Sequence, residues 1–131
     1  MKLTRARSTL LVLVLLSAAF STSCATHAPP SLSPAGAAAF QATRVVRALD
    51  VLQDFAIAAE AQNPKLLSTD NTRKVVSFVG SAAKTIDAVP GGWKPTVTAG
   101  LVQLQHDLPP ADWNRIAPYV QLLKILITEV P

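Results

Sequence analysis

The sequence predicts an all-α protein, a small antiparallel bundle of three to four helices behind an N-terminal signal peptide. Three observations carry that prediction. Apolar residues recur at three- and four-residue steps from about residue 34 onward, and breakers at Asn63-Pro64, Pro90-Gly91-Gly92 and Pro109-Pro110 divide the run. No alternating strand pattern is longer than a turn. The short connections left between the periodic stretches suit helices that reverse direction and pack on their neighbours.

The first element is the N-terminal segment. Lys2, Arg5 and Arg7 precede an apolar run from Leu10 to Phe20, which the small residues Ser21, Thr22 and Ser23 follow. Basic, then apolar, then small is the order of a secretory signal, and the run is shorter than the ~20 residues a spanning helix needs. Residues 1–23 are therefore expected to be removed.

At this point the stretch Phe20-Ser21-Thr22-Ser23-Cys24 resembles the lipobox of bacterial lipoprotein precursors. Thr22 and Ser23 supply the small residues of that pattern, and Ser21 stands where such precursors usually carry leucine. The resemblance covers this segment alone. It implies that Cys24 is lipidated and becomes the mature N-terminus, and, with Ala25 rather than aspartate next, that sorting is to the outer membrane rather than the inner. Cleavage after Ala25 by an ordinary signal peptidase, discarding the thiol, is the alternative. Cys24 is the only cysteine, so it has no internal disulfide partner and an exported chain that keeps it needs a use for it.

Residues 24–33 are rich in proline, serine and small residues and read as a tether, since Pro29-Pro30 joins neither helix nor sheet ladders. Residues 34–131 are the expected bundle domain, and half of the whole chain is apolar, enough for a real core. Three of the twelve basic residues lie in the signal, so the formal net charge of +4 falls nearly to balance once it is gone. A nucleic-acid partner loses its main support.

Ser33-Pro34 is the start signal of the first helix, a hydroxyl cap followed by a residue whose missing amide costs nothing there. Val45, Leu49, Leu52, Ala56 and Ala59 form its stripe, with Val46, Val51 and Phe55 widening it, and Asn63-Pro64 ends it. Ser68-Thr69-Asp70 opens a second helix lined by Val75, Val79, Ala82 and Ile86 and stopped near Val89. Pro95 is expected to open a third, with Val97, Leu101, Leu104 and Leu108 on one face and Gly100 lowering its stability slightly. The last runs from about Ala111 to Val130, where Pro118 should kink or split it. After that proline Leu122, Leu123, Ile125, Leu126 and Ile127 surround most of the helix, which predicts a central position. At a spacing of twenty, Gly80, Asp87, Pro90 and Trp93 match Gly100, Asp107, Pro110 and Trp113, a hint of duplication close to what chance gives.

The search for chemistry is mostly negative. His27 falls in the tether and His106 near a helix end, so no histidine pair has metal-ligand spacing, and no metal or cofactor is expected. His106, Asp107 and Asp112 form the one local cluster. Asp50 and Asp54 stand one turn apart and could share a proton or hold a cation, although Arg47 on the same side makes a solvated charge stripe the simpler reading. No Gly-x-Ser-x-Gly elbow or glycine-rich phosphate loop is present, and Arg73, Lys74 and Lys84 lack interleaved aromatics. Trp93, Trp113 and Tyr119 are the residues to watch as partner contacts, against the alternative that their rings close the ends of the bundle.

The leading expectation is a lipid-anchored protein of the cell envelope that binds or scaffolds a protein partner, without catalysis. A soluble periplasmic or secreted module holding a small apolar ligand between helices, in a pocket away from the turns, is the second. A small envelope enzyme using Asp50 and Asp54, or the His106 cluster, is the third. A first helix longer than its neighbours leaves an apolar strip that suits a homo-oligomer.

Overall fold

A computed structural model describes residues 33–129, and the signal, Cys24 and the tether up to Leu32 lie outside them. The described residues form four helices and no strand: α1 (Pro34–Gln62), α2 (Thr69–Ala88), α3 (Lys94–Asp107) and α4 (Pro110–Thr128). Three boundaries have a plain local cause. The Ser33 hydroxyl accepts the Gly36 amide at 3.1 Å, and the Ser68 hydroxyl accepts that of Asn71 at 3.3 Å, so both serines satisfy amides that the first turn leaves free. The turn after α2 passes through Gly91 at φ +82°, a backbone state that a Cβ makes costly.

The helices pack in cyclic order. α1 lies against α2 and α4, α2 also lies against α3, and α3 meets α4 along a much thinner seam. Two contacts fix the sense of the α1–α4 pair: Arg44 reaches Glu129 at 3.6 Å, and the rings of Phe55 and Tyr119 meet with centroids 4.5 Å apart. Climbing α1 descends α4, as an up-and-down bundle requires.

The inner faces are those the periodicity indicates. Val45, Leu49, Leu52, Ala56 and Ala59 of α1, Val75, Val79, Ala82 and Ile86 of α2, and Val97, Leu101, Leu104 and Leu108 at α3 are all buried. Each large aliphatic side chain fully buried contributes about 1.5–3 kcal/mol, so this apolar seam is the main stabilising element. Leu67, in the α1–α2 connection, joins the core as well.

Two expectations need correction, and that of a kink or split at Pro118 loses the split. α3 begins at Lys94, one residue before Pro95, and α4 runs from Pro110 to Thr128 without splitting at Pro118. Pro118 and Asn114, whose carbonyl the proline leaves unpaired, both lie on the exposed side, so water can take the lost bond. Nor is α4 central, because Leu122 and Ile125 are 45 % and 51 % exposed, while Leu123, Leu126 and Ile127 are buried. A helix with two neighbours buries one stripe, and apolar residues beyond its edges stay in solvent. The same limit leaves Val51 of α1 48 % exposed.

α1 outruns its neighbours. Glu129, just past the end of α4, is level with Arg44, and α2 stops at Ala88. Residues 34–43 therefore project roughly 15 Å beyond the described part of α4, at 1.5 Å per residue.

Candidate functional site

The two ends of the bundle are built differently, and each gathers residues of interest. At one end lie the α1–α2 and α3–α4 connections. There Asn71 Nδ2 donates to Asp112 Oδ2 at 2.5 Å, and Arg115 Nη1 donates to Asp112 Oδ1 at 2.9 Å. Arg115 also donates to the carbonyls of Leu66 and Lys65, and Lys74 Nζ donates to Asn71 Oδ1 at 3.3 Å and to the Asp107 carbonyl at 2.9 Å. Asn71 and Asp112 are both buried. A buried carboxylate that accepts charged and amide donors is satisfied, so this network clamps α2, α3 and α4 and the α1–α2 connection at that end. The hydroxyl of Thr72 beside it is buried without a hydrogen-bond partner among the described residues.

That arrangement breaks up the His106 cluster. Asp112 turns inward to Asn71 and Arg115, whereas His106 points into solvent with its Nδ1 3.7 Å from Asp107. Among the described residues no group of three His, Cys, Asp or Glu side chains converges as a metal site would require. Asp50 and Asp54 sit on the exposed face of α1, as does Arg47.

The aromatic residues occupy three distinct places. Trp93 is only 3 % exposed and precedes α3 at the end opposite the clamp, where its ring closes the core. Trp113 lies in the first turn of α4, partly buried against the core, and Tyr119 is partly buried under Phe55. Trp93 and Trp113, matched in the spacing of twenty, thus stand in different surroundings. Their glycine counterparts also differ: a Cβ at Gly80 would meet open space, and one at Gly100 would lie 3.0 Å from the Phe78 ring.

The end that holds Trp93 also holds the more enclosed concavity, a trough of about 670 Å³ between the projecting part of α1 and the end of α2. Its α1 wall is Ala35, Ala38, Ala39, Ala42 and Val46, and Ala83, Ile86 and Trp93 face them. Arg47 and Asp87 also line it, on α1 and α2 respectively. The volume falls within the roughly 300–1,000 Å³ common for small-molecule sites, and the position is against the α2–α3 turn rather than away from the turns. Sequence reading missed it because alanine in a helix signals good propensity, and the shortfall of side-chain volume shows only once the opposite wall is known. A shallower groove between α2 and α3 holds Arg73, Lys74, Ser77 and Ser81, with Phe78 seated on Gly100.

No helix among the described residues is long and apolar enough to cross a membrane. No family model, curated protein or solved structure matches this chain.

Proposed function

We propose that this is a lipid-anchored protein of the bacterial cell envelope, held through Cys24 and placed at the outer membrane rather than the inner, whose helical domain binds or scaffolds a protein partner. The order of Lys2, Arg5 and Arg7, the Leu10–Phe20 run, Thr22-Ser23 and Cys24 carries the reading. Confinement to a membrane raises the effective concentration of a small binding domain near partners on the same surface. Val51, Leu122 and Ile125, exposed on α1 and α4, offer apolar area for such a partner or for a second copy of the chain.

The test is the intact mass of protein taken from the membrane fraction of a bacterial host, beside a Cys24→Ser variant made in the same host. A mature chain that starts at acylated Cys24, with the variant released from the membrane, is the expected result. A chain that starts at Thr26 without lipid would sink the anchor. The reading then passes to an exported soluble module that takes a small apolar ligand, which the trough beside Trp93 favours.

A further inference from the structure

Two side-chain contacts fix how α1 meets α4, Arg44 with Glu129 and Phe55 with Tyr119. Val51 lies seven residues after Arg44 and four before Phe55, and Leu122 lies three after Tyr119 and seven before Glu129. Both spacings keep a residue on one helix face, so Val51 and Leu122 stand on the line along which the helices touch. Both are nevertheless half exposed, as is Ile125 one turn on from Leu122. The outer lip of this seam is apolar and lies in water. Between Arg115 and Glu129 the single charge of α4 is Lys124, two residues from Leu122 and so on nearly the opposite side of the helix. An exposed apolar face rimmed by polar residues marks an interaction site.

Charge frames Val51 on α1. Arg47 stands one turn before it and Asp54 one turn after, all three exposed on one side of the helix. Neither Arg47 nor Asp54 makes an ion pair among the described residues. A cation and an anion set evenly about an apolar centre are complementary to the same pattern turned end for end. When two such helices lie antiparallel across a two-fold axis, each Arg47 meets the other's Asp54 and the axis passes beside Val51. α4 has its apolar centre at the same height. With Arg44 level with Glu129 and Phe55 level with Tyr119, the point midway between Arg47 and Asp54 is level with Leu123, between Leu122 and Ile125. One axis therefore serves both helices, joining the charges on α1 and Leu122 to Ile125 on α4. An axis along the helices would instead set α1 against the partner's α4, where both charges would meet the uncharged stretch after Arg115.

We propose that this α1–α4 face binds a second copy of the chain, with α1 antiparallel to the partner's α1, α4 antiparallel to the partner's α4, and the two-fold axis beside Val51. Val51, Leu122, Ile125 and their copies form the centre, and two reciprocal Arg47–Asp54 pairs close it along α1. Asp50, about 100° round the helix from Val51, stays at the rim in water. The apolar centre supplies affinity, and the charges set the register and exclude the other arrangement. A contact of three half-exposed apolar side chains per copy is weak in solution, and confinement of the copies to one membrane would raise their effective concentration. The pairing goes beyond the binding role proposed above and stands whether or not Cys24 carries lipid.

The experiment is sedimentation velocity on the Cys24→Ser chain, which carries neither lipid nor a thiol able to cross-link two copies, from about 10 μM to about 1 mM. A monomer–dimer equilibrium is expected across that range. Arg47→Glu and Asp54→Lys are then added separately in the same background, at exposed positions, with helicity checked by circular dichroism. Each variant alone brings like charges together twice and should dissociate about tenfold more readily or worse. Mixed in equal amounts, the two variants carry opposite charges at both meeting points, and their heterodimer should form about as strongly as the parent dimer. Leu122→Gln with Ile125→Gln should weaken the parent dimer by about tenfold or more at unchanged helicity. A monomer throughout the range, single reversals that leave the dimer intact, a mixture no stronger than its components, or indifference to the two glutamines would each overturn the proposal. Membrane fractionation that still depends on Cys24 would then leave the envelope reading standing.

Discussion

The clamped end and the open end of this bundle solve the same problem by opposite means. At the clamped end Asn71, Asp112 and Arg115 tie the α1–α2 connection to the starts of α2 and α4, and Lys74 adds the end of α3. At the open end apolar contacts around Trp93 and the Arg44–Glu129 ion pair, whose side chains are 21 % and 40 % exposed, hold what the described residues hold together. Buried polar networks fix geometry because any slip strands a donor or acceptor away from water. Apolar contacts tolerate a gap, and a gap is what the open end contains. Room is found at the open end, and fixed register at the other.

The largest effect follows from breaking the clamp. Asp112→Ala removes one acceptor and strands two donors, the Asn71 amide and one edge of the Arg115 guanidinium. Arg115 is partly exposed and can turn to water, so the penalty is concentrated on buried Asn71. We expect a loss of about 2–3 kcal/mol in urea unfolding with the slope unchanged. A loss below ~1 kcal/mol would mean that the four helix ends are held by apolar contact alone, and the contrast between the ends would vanish.

How much of this was legible follows the same division. The inner faces of α1, α2 and α3 read directly from period, and Ser33 and Ser68 cap the helices that they announce. Asn71 and Asp112 did not read as partners, because 41 residues separate them and a polar residue in a first turn is ordinarily a solvated one. Leu67 was silent for a related reason: a lone leucine in a connection has no period to betray burial. The surplus of apolar residues after Pro118 pointed to a central helix, although Leu122 and Ile125 only flank its buried stripe. Periodicity locates a stripe well and its edges poorly. The trough was hidden because it consists of missing volume, which depends on which residues face one another across α1 and α2.

The contrast between filled and unfilled seams can be sharpened on two glycines. Gly80 is exposed on α2 with nothing within 4 Å of a Cβ placed there, so Gly80→Ala should stabilise by about 0.5–1 kcal/mol through helix propensity alone. Gly100 on α3 has the same propensity to gain, but its Cβ would lie 3.0 Å and 3.2 Å from two Phe78 ring atoms. Phe78 is packed against the core and has limited freedom to retreat. Gly100→Ala is expected to forfeit the gain, leaving its melting temperature at or below that of the parent while Gly80→Ala rises. Equal gains would show that the α2–α3 seam has slack, and the α1–α2 trough would then no longer be distinctive.

The smallest effect belongs to the open end. Arg44→Ala removes the Arg44–Glu129 pair, which is partly exposed and 3.6 Å long, and also the bond to Gln41 one turn before it. Partly exposed pairs at that distance contribute about 0–1 kcal/mol, and alanine restores part of that through its better helix propensity. Unfolding of Arg44→Ala should match the parent within about 0.5 kcal/mol, and raising salt should change the two proteins alike. The informative quantity is its ratio to Asp112→Ala. Both remove one charged partner at one end of the same four helices, yet only Asp112 leaves a buried group with nowhere to turn. A cost at Arg44 comparable to that at Asp112 would mean that α1 and α4 depend on this single contact for register where α1 begins to project. The trough would then lie in a rigid frame, and the division of labour between the ends would have to be abandoned.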